Sequence, residues 1–297
     1  MISFLLQVSF GQSAIKVTLL GTGTPQPLME RFGPGILVQA GGKTLLFDAG
    51  RGCLQRLRQL QVTYDTLDAL FLTHLHSDHI VGLPDLWLTG WLISKRNHPL
   101  AVFGPKGSKH MTDFLQKAYA FDINMRMEDD KAPEEGGKLK TTDIKEGVVY
   151  ERNGVKVIAF LVDHYPIVPA FGYRIEYAGH SVVLSGDTRY SENLIKYAKG
   201  TDLLVHEVVI APDTLKKTDP KYNVLAHHTT PEQACKVFNA VKPTLAVYSH
   251  IVRLYECNTD EIVKRTKENY SGPFALGEDL MMFFIGDSVT MKAWSEK

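Results

Sequence analysis

Between Thr73 and His79 the chain reads Thr-His-Leu-His-Ser-Asp-His, which places three imidazoles and one carboxylate within six residues. Zinc takes neutral imidazole nitrogen and carboxylate oxygen, and groups spaced this closely surround a metal pair only on a tight, irregular loop. The apolar run Leu67 to Leu72 reads as a strand leading directly into that loop. The bland alternative is a polar surface turn that happens to be rich in histidine. It is disfavoured because imidazoles crowded together repel one another on protonation unless a cation organises them.

The rest of the chain reads as β-rich blocks separated by helices, hence a layered α/β protein. Ile15 to Leu20, Gly35 to Ala40 and Thr44 to Phe47 form an opening meander, divided by Gly and Pro signals. Leu54, Leu57 and Leu60 recur at helical spacing, and Leu83 to Leu92 is a helix carrying Trp87 and Trp91 at i, i+4. That aromatic stripe reads as core packing in preference to a substrate lining. Val102-Phe103 is a strand, Met111 to Tyr119 a helix, and the charged, Gly-containing stretch from Glu128 to Lys145 an exposed loop. Strands follow at Val155 to Val162, Phe171 to Tyr177, Ser181 to Leu184, Leu203 to Val205 and Leu245 to Tyr248. Helices are expected at about residues 191–198, 231–241 and 259–269, and a closing hairpin turns at Gly286-Asp287.

Composition narrows the classes. No Pro, Gly or Ser linker divides residues 15–297, so they read as one domain. Lys+Arg and Asp+Glu balance at 33 each, leaving no global charge to draw the chain onto nucleic acid or an anionic membrane, although basic residues can cluster locally. No segment is long and apolar enough to span a bilayer. Cys53, Cys235 and Cys257 are too few and too scattered for a disulfide scaffold and read as free, buried thiols. Residues 1–14 are apolar and then small, without a basic start, and read as an N-terminal extension or a weak export-signal remnant. Both a cytoplasmic and an exported location stay open. Gly21-Thr22-Gly23 is no dinucleotide loop, because Pro25 and Pro27 stand where a helix would have to begin.

The His-x-His-x-Asp-His spacing resembles the signature of the metallo-β-lactamase superfamily, in particular its ribonuclease Z and arylsulfatase-like branch. Leu20-Gly21-Thr22-Gly23-Thr24-Pro25 and Phe47-Asp48-Ala49-Gly50 resemble the family's opening motifs. Asp163-His164, Ser185-Gly186-Asp187-Thr188, His206-Glu207, His228-Thr229-Thr230 and Ser249-His250 then follow in family order. The resemblance implies a four-layer αβ/βα sandwich and two zinc ions, with Mn2+ or Fe2+ as substitutes. It implies that His74, His76 and His164 hold one ion, that Asp78, His79 and His250 hold the other, and that Asp187 bridges them. Such a pair ionises water near neutral pH.

Asp78, Glu207 and His228 are the expected catalytic residues. His228 would protonate the departing oxygen and Glu207 would orient its ring, with Thr229 standing where relatives often have Ser. Alternatively, His228 only precedes the helix that begins near Pro231, or its neighbour His227 takes the role. Asp48 is either a buttress for the ligands or a turn residue. His98, His110 and His180 fall outside every motif and read as surface residues.

An acid–carboxylate pair favours esters with poor leaving groups, so the expected substrates are phosphodiesters first and sulfate esters second. The alternatives are β-lactam or lactone hydrolysis, and a degenerate metal-binding module without activity. Ribonuclease Z enzymes typically insert a long tRNA-gripping arm before the bridging aspartate. Here Tyr173-Arg174 is followed by a short turn at Ala178-Gly179-His180 and then by Gly186-Asp187. Small esters or diesters are therefore expected over tRNA. A homodimer is a family expectation.

Overall fold

The computed structural model describes residues 14–295; the N-terminal extension or signal remnant read from the sequence lies, but for Ala14, outside them. The first half of the chain contains β1 (Ile15–Gly21), β2 (Gly35–Ala40), β3 (Lys43–Phe47), α1 (Cys53–Gln59), β4 (Ala69–Phe71), α2 (Ser77–Ile80), α3 (Leu83–Leu92), β5 (Leu100–Gly104), α4 (Ser108–Ala118), α5 (Ala120–Glu128) and β6 (Leu139–Asp143). The second half continues with β7 (Gly147–Arg152), β8 (Val155–His164), β9 (Ile167–Tyr177), β10 (His180–Leu184), α6 (Glu192–Ala198), β11 (Leu203–Ile210), α7 (Tyr222–His227), α8 (Pro231–Val241), β12 (Leu245–Arg253), α9 (Thr259–Asn269), β13 (Phe274–Leu276), β14 (Met282–Ile285) and β15 (Val289–Lys292). One sheet has the order β15-β14-β1-β2-β3-β4-β5-β6 and the other β13-β12-β11-β10-β9-β8-β7. The C-terminal hairpin thus returns to pair with the first strand, Ile15 opposite Ile285.

The layers follow from strand alternation. On β3, Leu45 and Phe47 pack into the core shared with the second sheet, while Leu46 turns to the other face, against Leu54, Leu57 and Trp87. On β11, Leu203 and Val205 face the same shared core, and Leu204 packs on the opposite side with Leu194, Val237 and Phe238 of the helices. Both faces of each central strand are apolar, as strands sandwiched between a sheet and a helical layer require. Burying each such side chain contributes about 1.5–3 kcal/mol. The result is the αβ/βα layering that the resemblance implies. Trp87 and Trp91 are fully buried, so the aromatic stripe is core. The three cysteines are free and buried.

Two sequence expectations are corrected. Residues 128–145 are not a loop: β6 runs parallel to β5, and the 3-10 turn Glu134–Gly137 is tucked under Trp91, with Gly136 and Gly137 buried. An edge strand with one wet face tolerates Lys140 and Asp143, which is why its charges resemble a loop. His180 is half-buried, 3.5 Å from Asp202, whereas His98 and His110 are exposed as expected. The fold also brings the C-terminal ends of the parallel strands β4, β10, β11 and β12 to one edge of the sandwich. Polar sites in open α/β sheets gather at such ends.

Candidate metal centre

β4 leads into an irregular segment, and His76 is the extended residue that opens the single turn α2, which carries Asp78 and His79. β8 ends on His164. Asp187 follows β10 after Gly186, whose backbone is left-handed at φ 60° and where a Cβ would lie 2.5 Å from the Phe171 carbonyl oxygen. Only glycine turns the chain there without strain. His250 is the extra residue of a β-bulge: Glu207 pairs with Ser249 and Val208 with Ile251, leaving His250 at φ 43° with its side chain re-aimed at the cluster.

All seven candidate ligands converge. One potential ligand atom from each of His74, His76, His164 and Asp187 lies within 4.8 Å of the others, and Asp78, His79 and His250 form a second such group. Asp187 stands between them: its Oδ2 is 3.9 Å from His74 Nε2, 4.0 Å from His164 Nε2, 3.4 Å from His79 Nε2 and 3.3 Å from His250 Nε2. Asp78 Oδ2 is 3.4 Å from His250 Nε2 and 3.6 Å from His79 Nε2.

The surroundings select the tautomers. A carbonyl oxygen can only accept, so His164 Nδ1, 3.0 Å from the His227 carbonyl oxygen, carries the proton and leaves Nε2 bare. Asp48 does the same twice. Its Oδ2 takes the Nδ1 proton of His79 at 2.8 Å, and the Thr73 hydroxyl donates to Asp48 while facing His74 Nδ1 at 3.0 Å. Asp48 is therefore a buttress, bonded to the ring nitrogen that faces away from the cluster.

The donor set fits a divalent cation. Burial, reinforced by repulsion from His79, holds His74 well below the usual imidazole range, and burial lowers His164 to about 4. Both are in the neutral, ligating form. Asp187 stays ionised despite burial because His250 and His79 oppose it. His79 Nε2 is buried without a hydrogen-bond partner, and His74 Nε2 lies 2.8 Å from His76 Nδ1.

Beside this cluster lies an acid–carboxylate pair. Glu207 Oε2 is 3.1 Å from His228 Nδ1, and Oε1 accepts the Thr229 N–H at 2.7 Å. The His228 ring lies 5.5 Å from that of His250 and 5.2 Å from that of His164. Burial alone would lower the His228 pKa, but Glu207 overrides it and carries it to about 9. Position distinguishes the two neighbours: His227 offers its carbonyl oxygen to His164, and the His228 ring faces Glu207. His228 does not cap α8, because Thr230 does, through a capping box with Gln233. The Thr229 hydroxyl donates to the Thr188 carbonyl oxygen at 2.6 Å, tying this turn to the Asp187 loop. The sequence named Thr73 and His206 within motifs but gave neither a role; Thr73 links Asp48 to His74, and His206 is buried with Nε2 unpaired. Thr73 precedes the first ligand directly, which was the available signal.

Residues 15–233 match the family model described as Anti-Pycsar protein Apyc1. A ribonuclease Z from Mycolicibacterium gilvum is 35% identical over 283 residues, covering 94% of this chain and 99% of the relative. Among solved structures, the metallo-β-lactamase fold protein YhfI from Bacillus subtilis superposes with a TM-score of 0.72 at 20% identity, covering 90% of this chain and 98% of that one. The short form of human tRNase Z superposes with a TM-score of 0.68 at 23% identity, covering 91% of this chain and 99% of that one.

Proposed function

Because the chain belongs to a family of metallo-β-lactamase-fold, metal-dependent hydrolases, matched over residues 15–233 by the Anti-Pycsar protein Apyc1 model and over nearly its whole length by a ribonuclease Z, we propose that it hydrolyses small phosphodiesters with two zinc ions. His74, His76 and His164 would hold one ion and Asp78, His79 and His250 the other, with one carboxylate of Asp187 shared. When bound, the ions supply a nucleophile from water at neutral pH and polarise the phosphoryl oxygen.

What carries the reading is the His228–Glu207 pair beside the ligand cluster. With Nδ1 engaged by Glu207 and a pKa near 9, His228 keeps a proton on Nε2 at neutral pH. That proton is useful to a departing alkoxide and of little use to a stabilised phenolate. Glu207 holds the tautomer and, through the Thr229 N–H, the turn that carries the ring. Asp78 and Asp187, both buried, would add the negative charge that favours cations there. A phosphodiester has one such alkoxide, whereas a β-lactam amide or an activated aryl sulfate makes different demands.

Small diesters are favoured over tRNA because β9 and β10 are joined only by Ala178 and Gly179, both with positive φ, as in a tight hairpin turn with no inserted arm. A second reading, cleavage at the 3′ end of precursor tRNA, is supported by the ribonuclease Z relative itself. The match covers nearly all of both chains, so that relative has no long insertion there either. The deciding experiment gives the zinc-loaded protein bis(p-nitrophenyl) phosphate, a 3′,5′-cyclic nucleotide, a 3′-extended precursor tRNA, an aryl sulfate and a chromogenic cephalosporin. Preferential turnover of the two small diesters is expected. Efficient, site-specific tRNA cleavage at low enzyme concentration overturns the preference, and turnover of only the sulfate or the cephalosporin overturns the phosphodiesterase reading.

A further inference from the structure

The rim of the centre carries an aromatic ring that the chemistry above does not use. Tyr165 directly follows His164 at the tip of the β8–β9 hairpin, and it is 63% exposed. A lone exposed tyrosine on a mobile loop would mean little, but this one is held from three sides. Its N–H donates to Asp163 Oδ1 at 3.1 Å. Its carbonyl oxygen accepts from an Arg189 guanidinium nitrogen at 2.8 Å. The same guanidinium lies 5.9 Å from the ring centroid, within cation–π range.

Arg189 is in turn anchored. It stands two residues after Asp187, its N–H donates to the Asp163 carbonyl oxygen at 2.7 Å, and its guanidinium sits 3.9 Å from Asp163 Oδ2. Asp163 and Arg189 therefore lock together the two segments that bring His164 and Asp187 to the cluster. The ring they hold sits one residue from a candidate ligand with most of its surface free. A phosphodiester bound at the buried cluster extends its substituents toward solvent, and Tyr165 is the exposed residue directly after the candidate ligand His164. A pre-ordered π-face backed by a cation is suited to stacking a planar base, and stacking of this kind works for any base because each has a π-face.

We propose that Tyr165, braced by Arg189, is a nucleobase platform, making the centre selective for nucleotide diesters over diesters of simple alcohols. The proposal rests on the phosphodiesterase reading for its place in a reaction, and it can be tested without turnover. Calorimetry on the zinc-loaded protein compares uridine 5′-monophosphate with methyl phosphate for the wild type, Tyr165→Ala and Tyr165→Phe. The wild type should bind the nucleotide about tenfold or more tightly than methyl phosphate, Tyr165→Ala should erase that preference, and Tyr165→Phe should keep it. A preference that survives Tyr165→Ala, or its absence from the wild type, overturns the platform.

Turnover gives a second readout on two diesters that share a leaving group, thymidine 5′-(p-nitrophenyl phosphate) and methyl p-nitrophenyl phosphate. Tyr165→Ala should raise KM about tenfold for the first and leave the second and both kcat values nearly unchanged. Equal effects on both substrates overturn the proposal. The two readings fail separately: Tyr165-dependent nucleotide binding without hydrolysis upholds the platform and removes the hydrolytic function, and hydrolysis indifferent to Tyr165 does the reverse.

Discussion

Glu207 grips the turn that carries His228 twice, with Oε2 3.1 Å from the His228 ring and Oε1 2.7 Å from the amide nitrogen of Thr229. The carboxylate thus fixes both the tautomer of the imidazole and its approach to the ligand cluster. Its two oxygens go to His228 and Thr229 and not to a candidate ligand, so the proposed proton delivery and the proposed metal binding can be tested apart.

His228→Ala is expected to retain metal and to lose about 10²–10⁴-fold in kcat on diesters with alkyl leaving groups, with a much smaller loss on p-nitrophenyl esters. Steady-state kinetics on a leaving-group series, with metal content measured in parallel, checks this. An equal loss across the series, or loss of metal, would remove the general-acid role.

The pH profile should carry the same signature. Burial opposes protonation of His228 but Glu207 overrides it, so its pKa is raised to about 9. The protonated, proton-donating form is present below that value and is lost as pH rises through it. Turnover of alkyl diesters should therefore fall on an alkaline limb near pH 9 that His228→Asn lacks. A wild-type profile identical to that of the variant contradicts the assignment.

Asp187 and His250 should differ as ligands. Asp187 Oδ2 lies within 4.0 Å of ring nitrogens from both groups, whereas His250 belongs with Asp78 and His79. Asp187→Ala should weaken both ions and His250→Ala mainly one, as read by zinc content after dialysis. Equal loss of both ions from both variants would show that the grouping is wrong.

Gly186→Ala tests the backbone under the site. At φ 60°, with a Cβ 2.5 Å from the Phe171 carbonyl oxygen, alanine must strain or displace β9. A loss of roughly 1–3 kcal/mol is expected, seen as a lower Tm, together with weaker metal binding through a misplaced Asp187. An unchanged Tm would mean that the turn has freedom the geometry denies it.

What could be read in the sequence follows physical type. The ligand loop was legible because four donor groups within six residues have little other use, and the central strands because alternation on β3 and β11 writes both faces in apolar side chains. Edge strands were not, since β6 and β7 keep a wet face that carries charge, and α5 buries no residue completely. His250 was named from its place in a series of motifs, but nothing in the sequence announced the bulge at φ 43° that re-aims it. The different contacts of His227 and His228 were not legible either, because adjacent histidines differ only in which part of each, ring or carbonyl, reaches a given neighbour.

The proposed two-ion hydrolytic centre is open to a single titration. Metal-free protein is titrated with zinc while hydrolysis of bis(p-nitrophenyl) phosphate is followed. Activity should be absent without metal and should saturate at two equivalents per chain. Hydrolysis without metal, or saturation at one equivalent with no further gain, would rule out a two-ion centre.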